Sequence, residues 1–283
     1  MTRPRAHQLL LLLLVLLGAA PSVRAAGDIL LILDDMGHGY GRARQEACLA
    51  LPVEVAFSVI PGTPRAAATA RRCAGQGREV LAHLPWQPLH PRDAAERSLL
   101  PVGAGEERIR QVVERARREL PGLVAANNHQ GSRACLDPDF LARFAAVWRG
   151  TGLPFVDSRT VAGSRVSEVL GAAGVPVFEN RLFLDHVDEP AAIRARLREL
   201  EDLARERDLT IAIAHPRPAT LALLADWCAH LPDGLRLVPA SRALAPAAPA
   251  APAPAEPWLA QRLASWPGLE APARPAAHLE LED

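Results

Sequence analysis

The sequence contains no lysine. All 32 of its basic residues are arginine, and 32 acids match them. A formal charge of zero gives no electrostatic footprint of the kind that holds a nucleic acid, so no nucleic-acid partner is expected. The arginine-only usage, with the high alanine content, reads as compositional bias rather than function. Cysteine is scarce, and none of Cys48, Cys73, Cys135 and Cys228 stands in a CxxC pair, which argues against a cysteine-held metal. Four thiols would permit three disulfide pairings if the chain is exported, and buried free thiols are the alternative. No GxGxxG follows the first strand-like run, so the dinucleotide-binding form of an open α/β sheet lacks its main signal. A glycine-rich phosphate cradle is missing too. That weighs against a phosphatase, although Asn127 to Ser132 could present N–H groups to an anion. After residue 26 no apolar run reaches the roughly 20 residues that a membrane helix needs.

The two ends differ from the middle. Arg3 and Arg5 make a positive start, Leu9 to Leu17 an apolar centre, and Val23-Arg24-Ala25 a small-x-small pattern. Residues 1–26 therefore read as a secretory signal peptide cut near Ala25 or Ala26, with an uncleaved anchor as the alternative. The expected location is periplasmic or secreted, with no membrane span after signal removal. Residues 245–257 are nearly all Ala and Pro and read as a semi-extended linker, because dense proline blocks helix and sheet hydrogen bonding. The tail, 258–283, carries Trp258, Leu259, Leu263 and Trp266. It is expected to be either flexible or a short amphipathic helix that docks on an envelope protein.

Between these ends, residues 27–244 suit one α/β domain with a sizeable core. Strand-like runs at 28–34, 53–60, 78–83, 122–126, 153–157, 175–178, 208–214 and 235–239 alternate with helix-like segments. The latter are at 41–50, 64–75, 105–120, 138–149, 163–172, 189–206 and 217–230. Asp137-Pro138 and Glu189-Pro190 place an acid near a helix cap and proline in the first turn. Gly77, Gly122, Gly152 and Gly174 stand where helices should end. Strand–helix alternation predicts a mostly parallel sheet buried on both faces. Seven or eight units over this length predict a closed or nearly closed β/α barrel, with a doubly wound open sheet as the alternative.

Polar residues collect at the carboxyl ends of these runs. Asp34 and Asp35 follow the first, His83 the third, and Asn127, Asn128 and His129 the fourth. Asp157, Ser158 and Arg159 follow the fifth, Arg181 and Asp185 come shortly after the sixth, and His215 ends the seventh. Parallel β/α barrels build their active sites at this end. Adjacent carboxylates on an extended backbone point to opposite sides, but at a strand tip both can reach one centre. One could then ligate a cation while the other acts as a base; the competing role is capping the helix that follows. Two histidines and a carboxylate form a facial set that leaves positions open on Zn, Fe, Co or Ni.

These segments resemble the divergent polysaccharide deacetylase family, an exported bacterial branch of the NodB-like carbohydrate esterases. The resemblance rests on LDDMG (33–37), GREVLAHLPWQP (77–88), NNHQGS (127–132), FVDSRT (155–160), RLFLDH (181–186) and IAIAHP (211–216), in order over about 28–243. It implies a distorted (β/α) barrel of seven to eight mostly parallel strands. It also implies a divalent metal, zinc first and cobalt or nickel next, held by an Asp-His-His set. The implied substrate is an N- or O-acetylated sugar polymer such as peptidoglycan.

By position, Asp34 resembles the catalytic base, Asp35 and His83 metal ligands, and His215 the late catalytic acid. Gln87 stands where the family's second metal-binding histidine belongs, and Leu84 replaces a Ser or Thr. We expect His129 to supply the missing nitrogen. Asn127 and Asn128 replace an Arg-Pro-Pro loop and are expected at the substrate. Asp157 is expected to orient His215, bind sugar or cap a helix. Arg159 and Asp185 are expected to bind substrate or pair with each other, and Trp86 to stack on a sugar ring or roof the core. The departure at Gln87 also leaves room for a non-catalytic carbohydrate-binding or envelope-scaffold protein on a degenerate deacetylase fold.

Overall fold

The apolar run Ile29–Leu33 is buried throughout, inside the ten-residue strand β1 (Gly27–Met36) of the computed structural model, which describes residues 27–90 and 98–245. A strand apolar on both faces needs cover on both. Leu30 and Ile32 join an inner cluster with Ala56, Leu81, Ala125, Val156, Ile211 and Ile213. Ile29, Leu31 and Leu33 join the larger cluster beneath the helices. This is the two-residue period of a strand, sorted by burial.

The neighbouring strands are β2 (Ala56–Val59), β3 (Val80–Trp86), β4 (Leu123–Gln130), β5 (Phe155–Asp157) and β6 (Val177–Glu179) on one side. On the other side come β8 (Leu209–Ala214) and then β7 (Leu182–Phe183), while β9 (Leu235–Leu237) pairs with the start of β1. Every pairing is parallel. The order β6-β5-β4-β3-β2-β1-β8-β7 curls into a barrel left open between β6 and β7. The helices are α1 (Arg42–Leu49), α2 (Ala66–Gly75), α3 (Glu106–Glu119), α4 (Pro138–Trp148), α5 (Val166–Ala172), α6 (Pro190–Glu206), α7 (Pro218–Ala229) and α8 (Ala240–Ala243). Around α8, Ala240 and Leu244 pack into the inner cluster.

Each expected strand and helix overlaps an element of that type. Asp137 caps α4 by accepting the Phe140 N–H at 2.8 Å, and Gly122 and Gly152 take the left-handed conformation at φ +80° and +69°. Two elements escape the sequence pattern, β7 and α8, because two and four residues are too short to show a period. The ends of β3 and β4 run three and four residues past their expected limits, through His83 to Trp86 and Asn127 to Gln130. The two extensions pair with each other, His83 with Asn127 and Pro85 with His129. All four cysteines are free, three of them buried, and burial pushes the Cys48 and Cys73 thiols up to about 11. Among the described residues no helix is long and apolar enough to cross a membrane. The expected signal peptide, the linker beyond Ala245 and the tail lie outside the described residues.

Trp86 is a correction. It shares the outward parity of Val80, Ala82 and Leu84 and is fully buried, so it cannot stack on a sugar. Its ring stacks on Phe155 at 5.2 Å and meets Phe140 and Phe144 edge-on at 5.2 and 4.8 Å. Trp86→Ala should cost about 3–5 kcal/mol of folding stability, the usual range for removing a buried large aromatic. Guanidinium unfolding of the variant and parent measures it; a loss under about 1 kcal/mol would contradict this core role.

Candidate active site

The inward parity of the strands carries polar residues onto one ring at the carboxyl end of the barrel. Ile32 leads to Asp34, Ala56 to Ser58, Leu81 to His83, Ala125 to Asn127 and His129, Val156 to Ser158, and Ile213 to His215. Ser58 was not singled out from the sequence, though its parity with Ala56 would have found it.

Asp35 breaks the alternation. In a regular strand it would point outward with Leu31 and Leu33. Between Leu33 and Met36, however, β1 has one residue more than its partner β2, and Asp35 itself sits at φ +58°. This bulge turns its carboxylate to the same side as that of Asp34. Aspartate tolerates the left-handed region better than most residues. Gly37 follows at φ +101°, where a Cβ would lie 2.5 Å from the Thr63 hydroxyl. Among the described residues, the non-glycine positive-φ positions are Asp35, Gln130 and Arg159. Each lies at or just past the end of a strand bearing ring residues, and such backbone strain tends to gather at functional sites.

Asp35, His83 and His129 bring three donor atoms together. Oδ1 of Asp35 lies 2.9 Å from Nδ1 of His129 and 3.2 Å from Nε2 of His83, and the two nitrogens are 3.0 Å apart. The carboxylate oxygen is buried and makes no well-directed hydrogen bond. Where the ring nitrogens present lone pairs, three donor atoms this close repel unless a positive charge lies among them. Bonds of about 2.0–2.2 Å to one divalent ion place its donors roughly 3 Å apart, so this set fits such an ion. Burial alone would raise the Asp35 carboxyl, but contact with the His129 and His83 imidazoles holds it well below the ordinary carboxylate range. Gln87 is turned to other work: its side-chain oxygen accepts the Val102 N–H at 2.9 Å.

Asp34 is 2% exposed. Its oxygens lie 2.9 and 3.2 Å from the Asn127 amide nitrogen, and one is 3.5 Å from Nε2 of His83. Burial pushes its carboxyl up from the ordinary value, against the pull of His83, His215 and the Asn127 hydrogen bond. His215 stands across the cleft, with Nε2 3.9 Å from Asp35. Its Nδ1 lies 2.8 Å from Oδ1 of Asp185, whose Oδ2 accepts the His215 backbone N–H at 2.8 Å and the Thr220 hydroxyl at 2.9 Å. Burial would lower the imidazole pKa, but the Asp185 hydrogen bond and the charges of Asp35, Asp185 and Asp34 outweigh it and raise it.

A cleft of about 580 Å³ opens over these groups, within the range of small-ligand sites. Its walls include Asn128, Gln130, Thr160, Phe183, His186 and Arg217. Several expected substrate contacts are corrected. Asn127 is fully buried within the ring and bonds Asp34, His83, Ser58 and Ser158. Asp157 has outward parity; it accepts the Ser164 hydroxyl at 2.7 Å and the Arg159 N–H at 2.8 Å, away from His215. Asp185, not Asp157, orients His215, and it too is fully buried. Arg159 lies 3.8 Å from Glu179 rather than pairing with Asp185. Asn128 borders the cleft but is itself fully buried, its side-chain oxygen accepting the Ser158 N–H at 2.9 Å and its nitrogen donating to the Gln130 carbonyl at 2.8 Å.

The Asp185 contact makes a direct prediction. The His215 imidazole should titrate above the ordinary histidine value, and Asp185→Asn should lower that midpoint. Imidazole NMR over a pH series reads both. A raised pKa means the Asp185–imidazolium contact contributes stability fully present below the unfolded-state histidine pKa, which is lost as pH rises through the folded value.

A family model described as divergent polysaccharide deacetylase matches residues 31–244. The uncharacterized protein YibQ of Escherichia coli is 32% identical over 219 residues, covering 77% of this chain and 68% of its own length. An uncharacterized protein of Haemophilus influenzae is 30% identical over 214 residues, covering 76% and 75%. The crystal structure of an uncharacterized protein from Agrobacterium tumefaciens aligns with a TM-score of 0.71 at 19% identity, over 80% of this chain and 91% of that one, a likeness of fold. By this match over residues 31–244, the chain belongs to the divergent polysaccharide deacetylase family.

Proposed function

We propose that this protein is a metal-dependent hydrolase that removes acetyl groups from an N- or O-acetylated cell-envelope polysaccharide. The observation that carries the reading is the triangle of donor atoms from Asp35, His83 and His129, beside a buried carboxylate and an Asp-held imidazole in one cleft. His129 takes the place that Gln87 vacates. A divalent ion on these three residues, zinc first and cobalt or nickel as alternatives, would supply Lewis-acid polarisation of the acetyl carbonyl and a lowered pKa for the attacking water.

The chain's own groups handle the protons. Asp34, made more basic by burial, accepts a proton from water as the water oxygen bonds to the acetyl carbon. The C–N or C–O bond then breaks with its electron pair moving to the sugar nitrogen or oxygen. That atom takes the proton from Nε2 of His215, and acetate leaves. Asp185 anchors Nδ1 of His215, so the other nitrogen is the one presented to the cleft. Export to the periplasm or beyond belongs to the same reading and is supported by the signal-like composition of residues 1–26.

Metal content and acetate release from acetylated chitooligosaccharides and peptidoglycan fragments test the reading. His129→Ala should weaken zinc binding by about 100-fold or more and abolish acetate release; unchanged zinc affinity would remove His129 from the set. Asp34→Asn should keep the metal and slow turnover by about 10²–10⁴-fold, the usual worth of a positioned base. Loss of the metal in that variant would instead mean that Asp34 is a ligand.

A further inference from the structure

We propose that Asn127 is a positioning residue that fixes the tautomer of His83 and the placement of Asp34 through a single buried amide. The inference deepens the metal-dependent reading above and rests on it for its consequence in turnover. A side-chain amide offers one oxygen with two lone pairs and one nitrogen with two protons. In Asn127 all four are engaged. Its oxygen accepts the Ser58 hydroxyl and lies 2.9 Å from Nδ1 of His83. Its nitrogen donates to Asp34 at 2.9 and 3.2 Å and to the Ser158 hydroxyl at 3.3 Å. The residue is fully buried, so water cannot substitute for any of these partners.

The order of causes runs from Asp34 outward. Both Asp34 oxygens lie at the amide nitrogen, 2.9 and 3.2 Å away, and a carboxyl group offers an acceptor oxygen in either protonation state, so the amide turns its N–H groups toward Asp34. Rotating the amide by half a turn would set its oxygen against that acceptor. With the carbonyl therefore facing His83, Nδ1 must carry the ring proton and Nε2 must hold its lone pair. That Nε2 is the atom 3.2 Å from Asp35 and 3.0 Å from His129. One amide thus couples the carboxylate proposed as base to the availability of a ligand nitrogen, across residues 34, 83 and 127. The partner of a ligand histidine's second nitrogen typically changes metal affinity by about 10–100-fold when lost.

The test uses the full chain. Nitrogen-15 NMR of the chelator-treated parent should show His83 protonated at Nδ1 and unprotonated at Nε2; the opposite tautomer would overturn the proposal without any variant. Asn127→Leu, close in shape but without polar atoms, should lose that fixed tautomer and weaken zinc binding by about 10–100-fold in chelator competition. Asn127→Asp keeps an acceptor for His83 but sets a second carboxyl group against Asp34, and two carboxyls this close share a proton that occupies the base. It should retain the tautomer and most of the zinc affinity while losing turnover. A parent-like tautomer and zinc affinity in Asn127→Leu would show that the amide merely fills space. The tautomer is read without metal or substrate, so it decides this inference separately. Failure of the parent to bind zinc or release acetate would count against the hydrolase reading alone.

Discussion

The structure depends on the two-residue period of six parallel strands whose inner faces end in polar groups. Leu30, Ile32, Ala56, Leu81, Ala125, Val156, Ile211 and Ile213 fill the barrel with hydrocarbon. One step further along each strand, on the same face, the side chains become Asp34, Ser58, His83, Asn127, Ser158 and His215. The apolar layer sets the registers, since a one-residue slip would send every inner side chain outward. The polar ring inherits its positions from that layer. Buried polar groups must find partners, and here they find one another, with Asn127 joining β1, β2 and β3 to the segment after β5.

Asp35 is the exception that turns a polar ring into a ligand-shaped site. The extra residue in β1 and the left-handed backbone at Asp35 bring two consecutive carboxylates to one side. Their environments then differ. Asp34, at the floor, is dominated by burial, which raises its pKa. Asp35, facing the cleft, is dominated by two imidazoles and is held low. Neighbouring groups of one type are thus driven in opposite directions by their surroundings. On the opposite wall Asp185, fully buried and with its carboxylate in three hydrogen bonds, keeps the His215 ring in one orientation.

Much of this was legible along the chain. Element order followed from alternating periods, and the motifs at the strand ends pointed to the family that the comparison of residues 31–244 identifies. Asp34, Asp35, His83, His129 and His215 could be picked out because acids and imidazoles after apolar strands are conspicuous. Parity carried more information than the list of strand ends used. Counting by twos places His83, Asn127 and His129 inside with Leu81 and Ala125, and Trp86 and Asp157 outside with Ala82 and Phe155. The expected sugar contacts at Trp86 and Asp157 conflict with that count.

The fold class, the order of its elements and the kinds of side chain at the barrel mouth are written along the chain. The first two follow from hydrophobic periodicity, and periodicity is local. Which groups touch is fixed by the folded barrel. Asp185 rather than Asp157 holds His215, 30 residues away, and Asn127 reaches Asp34 across 93. Such pairings depend on strand stagger, on a one-residue bulge and on the course of loops, all set by how the whole barrel packs. No window of neighbouring residues contains that information.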